Sequence, residues 1–326
     1  MRAARAAASL VYRRDHARWA DPEATRERIR RYGEKGGAPR PARIPWSLRS
    51  WAHVSEQAVA GRPVITLTPR LHRSPVTLVY LHGGAYINEM LSAHWAIVER
   101  LLRQSGATVI VPLYGLAPRF TVDDAIPLLL QLTEAVRRDS DDALVLGGDS
   151  AGASLAVAVT LEAQRIGAPA ADRLLLASPW LDIELPGVER TGLEELDPMI
   201  SAPGLRVAGL AWSAGRPVDD PLVSPTRASL ERLAALPPTR IVQGGHEVLL
   251  PSVRGFARRA RAAGADVTLR VYADGFHDFV GATFLPESRN ALSWFADELR
   301  EAGARAGAGA GPAAGVAGAA GAAIGT

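Results

Sequence analysis

The chain has no cysteine among its 326 residues. That single absence removes disulfides, thiolate metal sites and cysteine nucleophiles. It does not fix the redox compartment, because a cysteine-free chain is stable in either setting. Lysine is nearly absent too: Lys35 is the only one, and every other basic side chain is arginine. The formal charge is only +3, and arginine runs such as Arg26-Glu27-Arg28-Ile29-Arg30-Arg31 are interleaved with acids. They read as solvated helix faces rather than a phosphate-binding surface, so no nucleic-acid partner is expected. Long apolar runs are also missing. Outside the Ala/Gly-rich C-terminus, which is too weakly hydrophobic, no 18-residue stretch is apolar and uncharged enough to span a bilayer. Arg2 and Arg5 are followed by no apolar h-region, so no signal peptide is read and a cytoplasmic protein is expected.

Three ligand motifs fail in detail. His246-Glu247 begins an H-E-x-x-H pattern, but position 250 is leucine, so the second metal ligand is lacking. No G-x-x-x-x-G-K-[ST] occurs, and Gly147-Gly148-Asp149-Ser150-Ala151-Gly152 is not G-x-G-x-x-G. Neither a metal nor an organic cofactor is expected.

Strands alternating with helices are present from about Trp51 onward. Short apolar runs predict strands over Val54–Val59, Val64–Pro69, Thr77–Leu81, Ala107–Pro112, Ala143–Gly147, Arg173–Ala177, Arg240–Gln243 and Thr268–Tyr272. Helical patterns fall at Ala93–Gln104, Asp123–Arg138, Ala151–Ile166, Pro251–Ala263 and Glu287–Glu301. The alternation predicts an α/β fold, with a mostly parallel sheet of eight strands flanked by helices. Strands apolar on both faces suit a sheet buried on both faces. Residues 1–50 are polar and proline-broken, with one helix from Pro22 to Tyr32 capped by Asp21. Residues 180–236 carry scattered Pro, Gly and acids. A plain loop of that length is improbable, so a helical insertion above the sheet is expected, with Pro203–Trp212 as a helix. The expected organisation is an N-terminal cap segment (1–50), a catalytic domain (51–302) and a disordered Ala/Gly tail (303–326).

Two glycine turns end two of the apolar runs. Gly148-Asp149-Ser150-Ala151-Gly152 links a strand to a helix, so the flanking glycines would relieve a tight, strained turn and expose the Ser150 hydroxyl. The next helix N-terminus brings free N–H groups, that of Ala151 among them. His82-Gly83-Gly84-Ala85-Tyr86 follows another strand, and the Gly83 and Gly84 amides are the other expected oxyanion donors. His82 is read as structural, orienting its loop by hydrogen bonding. A serine nucleophile needs a base, and the base an orienting carboxylate, in chain order Ser, acid, His. His277 follows the last predicted strand. Glu247 follows the strand before it and is the favoured acid. Asp274 and Asp278 are the competitors, placed too near His277 in sequence to reach its far nitrogen easily. Tyr86 is a candidate pocket residue or a core aromatic.

These residues resemble the hormone-sensitive-lipase-like branch of the α/β-hydrolase superfamily, a group of carboxylesterases and acetyl hydrolases. The resemblance spans roughly residues 50–302. It is carried by His82-Gly83-Gly84, Tyr114-Gly115-Leu116-Ala117-Pro118, Gly148-Asp149-Ser150-Ala151-Gly152, Ser178-Pro179-Trp180-Leu181-Asp182, Gly244-x-x-Glu247-x-Leu249 and Gly275-Phe276-His277. It implies Ser150 as nucleophile, Glu247 as acid, His277 as base, and a helical cap over the site. Departures from the pattern are Ala85 for a third glycine, Gly115 for arginine, Arg119 for glutamate, Glu247 for the commoner aspartate, and Ser252 near the place of a second acid. The resemblance favours hydrolysis of short-chain esters of small molecules, acetyl esters foremost. A homodimer is the one assembly considered. An N-acetyl amide hydrolase is the rival enzyme, separable by comparing an ester with its matching amide. A ligand-binding homologue like the gibberellin receptors is the rival from another class, but those have lost the catalytic histidine that His277 supplies here.

Overall fold

A computed structural model describes residues 1, 5, 14, 16–35 and 41–309. Eight strands form one sheet: β1 (Ala52–Val59), β2 (Arg62–Pro69), β3 (Val76–Leu81), β4 (Thr108–Pro112), β5 (Ala143–Asp149), β6 (Arg173–Ala177), β7 (Thr239–Gly244) and β8 (Val267–Tyr272). Their spatial order is β1-β2-β4-β3-β5-β6-β7-β8. Only the β1–β2 and β2–β4 pairs are antiparallel. Every predicted strand is present, with ends shifted by two residues or fewer. The central strands β3, β4, β5 and β6 are buried along their whole length, which is why they read as apolar runs without alternation.

The helices are α1 (Pro22–Lys35), α2 (Trp46–Trp51), α3 (Ser92–Ser105), α4 (Val122–Asp139), α5 (Ser150–Ile166), α6 (Ala202–Trp212), α7 (Leu230–Ala234), α8 (Leu250–Ala262) and α9 (Pro286–Gly309). Two apolar clusters form, one on each sheet face. One takes in α4, α5, α8 and the 180–236 segment; the other takes in α3 and α9. Asp21 caps α1 as expected, its Oδ1 accepting from Glu23 N at 2.9 Å. No described helix is long and apolar enough to cross a membrane.

The segment between β6 and β7 holds α6, α7 and two short 3-10 turns, and α6 covers the expected Pro203–Trp212. It is a packed layer: Trp180 and Trp212 are fully buried. α1 packs against α6, with Gly204 so close that a Cβ there would lie 2.8 Å from Thr25 Oγ1.

One boundary differs from expectation. The last helix does not stop at Glu301 but runs to Gly309, so residues 303–309 are helical and not part of a disordered tail. Alanine is the best helix former, and the extension has a surface to lie on. Gly303 rests against Pro75 and Val76, and Ala306 packs on the second cluster. Residues 310–326, the rest of the expected tail, lie outside the described residues.

Candidate active site

Strand register brings the chemistry together. In the parallel ladder Leu81 pairs with Gly148, Asp149 with Ala177, Ala177 with Val242 and Gly244 with Tyr272. The segments leaving β3, β5, β6, β7 and β8 therefore emerge side by side at the carboxyl end of the sheet. They carry His82–Tyr86, Ser150, Ser178, Glu247 and His277 respectively.

The Ser150 turn is tight for a visible reason. A Cβ on either Gly148 or Gly152 would lie 2.0 Å from Leu81 O, the end of β3. Any other residue would push the elbow off the neighbouring strand. Ser150 itself takes a left-handed φ of 49°, a conformation that costs an L-residue about 1–2 kcal/mol. Its Oγ lies 3.1 Å from His277 Nε2. On the other side of the ring, His277 Nδ1 is 3.1 Å from Glu247 Oε2.

Glu247 is fully buried, and its second oxygen is also engaged. Oε1 accepts from Ser178 Oγ at 2.7 Å and from Gly244 N at 2.6 Å. These donors fix the carboxylate so that Oε2 faces the imidazole. Burial disfavours a charged His277, but the Asp278 and Glu247 carboxylates outweigh it and raise the imidazole pKa well above its ordinary value. Asp278 thus does reach His277, at Nε2 (3.2 Å) rather than at the far nitrogen.

A second polar network lies behind the elbow, and sequence reasoning missed it. Asp149 is fully buried. Its Oδ1 accepts from Tyr80 Oη at 2.5 Å, and its Oδ2 from Gly83 N at 2.9 Å. His94 Nε2 lies 3.2 Å from the same Oδ2, while His94 Nδ1 accepts from Leu91 N at 2.7 Å. In the neutral ring that bond places the proton on Nε2, facing Asp149. Burial would push Asp149 up; His94 and Tyr80 overcome it and hold its carboxyl below the usual range. A polar histidine on the apolar face of α3 was the available signal for His94.

This network corrects one expectation. The Gly83 amide is committed to Asp149 and is not a free oxyanion donor. A Cβ on Gly83 would lie 2.1 Å from Asp149 Oδ2, so the glycine is there to let the carboxylate approach. The next amides, Gly84 and Ala85, form no comparable bond to a carboxylate. Ala151 is at the second position of α5, where backbone N–H groups have no intrahelical partner. Asn88 fixes Gly84 from behind, its backbone N and Nδ2 both donating to Gly84 O.

His82 is placed as expected. Its Nδ1 hydrogen-bonds Gly83 O at 2.7 Å, its ring stacks on Tyr114 at 4.6 Å, and burial together with nearby His94 pulls its pKa down to about 4. Tyr86 sits in an aromatic stack. It is 2% exposed and stacks on Trp212 at 4.2 Å and on Trp180 at 5.6 Å. Gly115 also has a steric origin, because a Cβ there would lie 2.1 Å from Phe120 Cγ.

Known proteins share this fold. Residues 78–281 match the model of a family described by its alpha/beta hydrolase fold. The chain belongs to that family. It is 31% identical over 231 residues to an acetyl-hydrolase of Streptomyces hygroscopicus, covering 69% of this chain and 76% of that one. It is 30% identical over 272 residues to an ethyl acetate hydrolase of Pseudomonas putida, covering 76% and 82%. Among solved structures, it superposes on an esterase of the bacterial hormone-sensitive lipase family with a TM-score of 0.70 and 28% identity. That match covers 86% of this chain and 98% of the other. The likeness to the hormone-sensitive-lipase-like branch therefore holds in both sequence and structure.

Proposed function

We propose that this α/β-hydrolase is a serine carboxylesterase that cleaves short-chain, preferentially acetyl, esters of small molecules through an acyl-enzyme. The observation that carries the reading is the continuous chain Ser150 Oγ–His277 Nε2 (3.1 Å) and His277 Nδ1–Glu247 Oε2 (3.1 Å). In the proposed reaction neutral His277 takes the Ser150 proton as Oγ attacks the carbonyl carbon. Gly84 and Ala151 amides hold the tetrahedral oxyanion, each such donor being worth about 10²–10³ in rate. His277 returns the proton to the leaving alcohol, and water, deprotonated by the same imidazole, frees Ser150. Glu247 fixes the tautomer and stabilises the imidazolium that forms.

Packing supports a short acyl limit. Trp180 N donates to Ser150 O at 3.0 Å, and the Trp180–Tyr86–Trp212 stack fills the volume beside the elbow. Little room is left for a long acyl chain on that side. That two relatives are an acetyl-hydrolase and an ethyl acetate hydrolase supports the same reading. An intact histidine in line with the serine speaks against a receptor-like role.

Initial rates on p-nitrophenyl acetate, butyrate, octanoate and palmitate, with Ser150→Ala alongside, test the reading. Turnover that falls with chain length and vanishes in Ser150→Ala is expected. Slow and equal rates in the two proteins would overturn it.

A further inference from the structure

Asp278 has no part in the proposed acyl transfer, yet its carboxylate sits at the nitrogen that performs it. Asp278 Oδ2 is 3.2 Å from His277 Nε2, the same atom that lies 3.1 Å from Ser150 Oγ. Asp278 Oδ1 is buried and accepts no hydrogen bond. The residue adopts a left-handed φ of 49° at the head of the 3-10 turn Phe279–Gly281. That reversal swings the side chain back across the ring, and Asp278 N donates to Ser178 Oγ at 3.3 Å. The imidazole is therefore bracketed by carboxylates, Glu247 at Nδ1 and Asp278 at Nε2.

Counting protons shows what this does. With its proton on Nδ1, toward Glu247, neutral His277 presents a lone pair at Nε2. An ionised carboxylate opposite a lone pair is repelled. One added proton makes the contact favourable, either as imidazolium and carboxylate or as imidazole and carboxylic acid. In both arrangements the Nε2 lone pair is unavailable to the Ser150 hydroxyl.

We propose that Asp278 is a positioning residue that holds a proton on the His277–Asp278 pair in the resting site and so sets the pH at which Ser150 can be activated. The proposal rests on His277 being the general base. Release is a plain deprotonation: the proton leaves to water, the Nε2 lone pair turns to the Ser150 O–H, and no co-reactant is consumed. Electrostatics agree with the geometry. Burial pushes Asp278 up to about 6, Asp149 and Glu247 adding to this while His277 opposes it, and the His277 shift is upward as well. A raised base pKa moves the acid limb of activity to higher pH, because the base must be unprotonated to act.

Other ionisable groups face the pair from each packed element. Glu247 comes from the loop after β7, Asp149 and Tyr80 from the strands behind, and His94 from α3. Asp197 comes from the 180–236 segment, and burial pushes it up to about 7. Its oxygens accept from the Met199, Ile200 and Val248 amides rather than from His277, which makes Asp197→Asn the natural comparison for a field effect without contact.

The test is the pH profile of kcat/KM for p-nitrophenyl acetate from pH 5 to 10 in wild type, Asp278→Asn, Asp278→Gly and Asp197→Asn. Asparagine and glycine both suit the left-handed backbone, so the turn is kept. The acid limb of both Asp278 variants is expected to move down by at least about one pH unit, making them on the order of tenfold faster than wild type on that limb. Asp197→Asn should shift it less. A limb that stays in place or moves up in the Asp278 variants, or that moves as far in Asp197→Asn, would overturn the role of Asp278 while leaving Ser150-dependent turnover intact. Wild-type rates retained by Ser150→Ala would instead sink the general-base reading, and this proposal with it.

Discussion

The polar groups in front of Ser150 and those behind it are of the same kinds: a buried carboxylate, a histidine and hydroxyl donors. They differ in how fully they are paired. Behind the elbow, both oxygens of Asp149 are taken, by Tyr80 on one side and by Gly83 N and His94 on the other. In front, His277 Nε2 faces two partners, Ser150 and Asp278, and Asp278 Oδ1 has none. A saturated buried network rigidifies what it touches, whereas an unsaturated one retains the capacity to change partners. The rear network holds the glycine loop against the elbow, and the front one is left able to move a proton.

The contrast can be broken from either side. Glu247→Gln should have the largest effect. Its amide can donate to Nδ1 and stabilise the wrong imidazole tautomer, so kcat should fall by about 10³–10⁴, read in single-turnover or steady-state assays, with the fold kept. Asp149→Asn touches no reacting atom but breaks the rear network. It should cost about 3–5 kcal/mol of stability by denaturant titration, because the bonds from Tyr80, Gly83 and His94 to a charged acceptor, each worth about 1.5–3 kcal/mol, are weakened or lost together. It should also cost about 10²-fold in kcat/KM through displacement of the Gly83–Gly84 loop. An Asp149→Asn protein with wild-type stability would show that the rear network is not a scaffold.

Tyr80→Phe should be smaller, about 1–3 kcal/mol, with kcat little changed, since it leaves one carboxylate oxygen short of a donor. The pH dependence of stability should carry the same signature. Folded His94 is raised by Asp149 against the opposing effect of burial. Its contribution is therefore present below about pH 6.5, its unfolded value, and is lost as pH rises through the folded value. Asp149→Asn should flatten that slope in thermal melts taken across pH 6–9.

The strands were legible because a doubly covered sheet imposes apolar runs of fixed length, and β6 was read to the residue. The three residues of the Ser150–His277–Glu247 chain were legible because their order follows from where strands end. What was not legible depends on contacts between distant segments. Gly83 looked like a free donor until the β3–β5 register set it against Asp149. Asp278 was read as too close in sequence to reach the far nitrogen of His277, and it does not; what stayed hidden is that one left-handed residue brings its carboxylate to Nε2 instead. Tyr86 was undecided because nothing local reveals that Trp180 and Trp212 close over it. The end of α9 was misread because Ala/Gly composition hides whether a helix has a surface to lie on, and here Pro75 and Val76 provide one.

The central claim is that Ser150 is activated by His277, and intact-mass analysis after treatment with a fluorophosphonate probe tests it most directly. Wild type should gain one adduct, mapped to Ser150 by peptide sequencing. Labelling should be absent in Ser150→Ala and at least about 10²-fold slower in His277→Ala, in keeping with the worth of a positioned general base. An adduct that persists in Ser150→Ala, or labelling of wild type and His277→Ala at the same rate, would contradict the account.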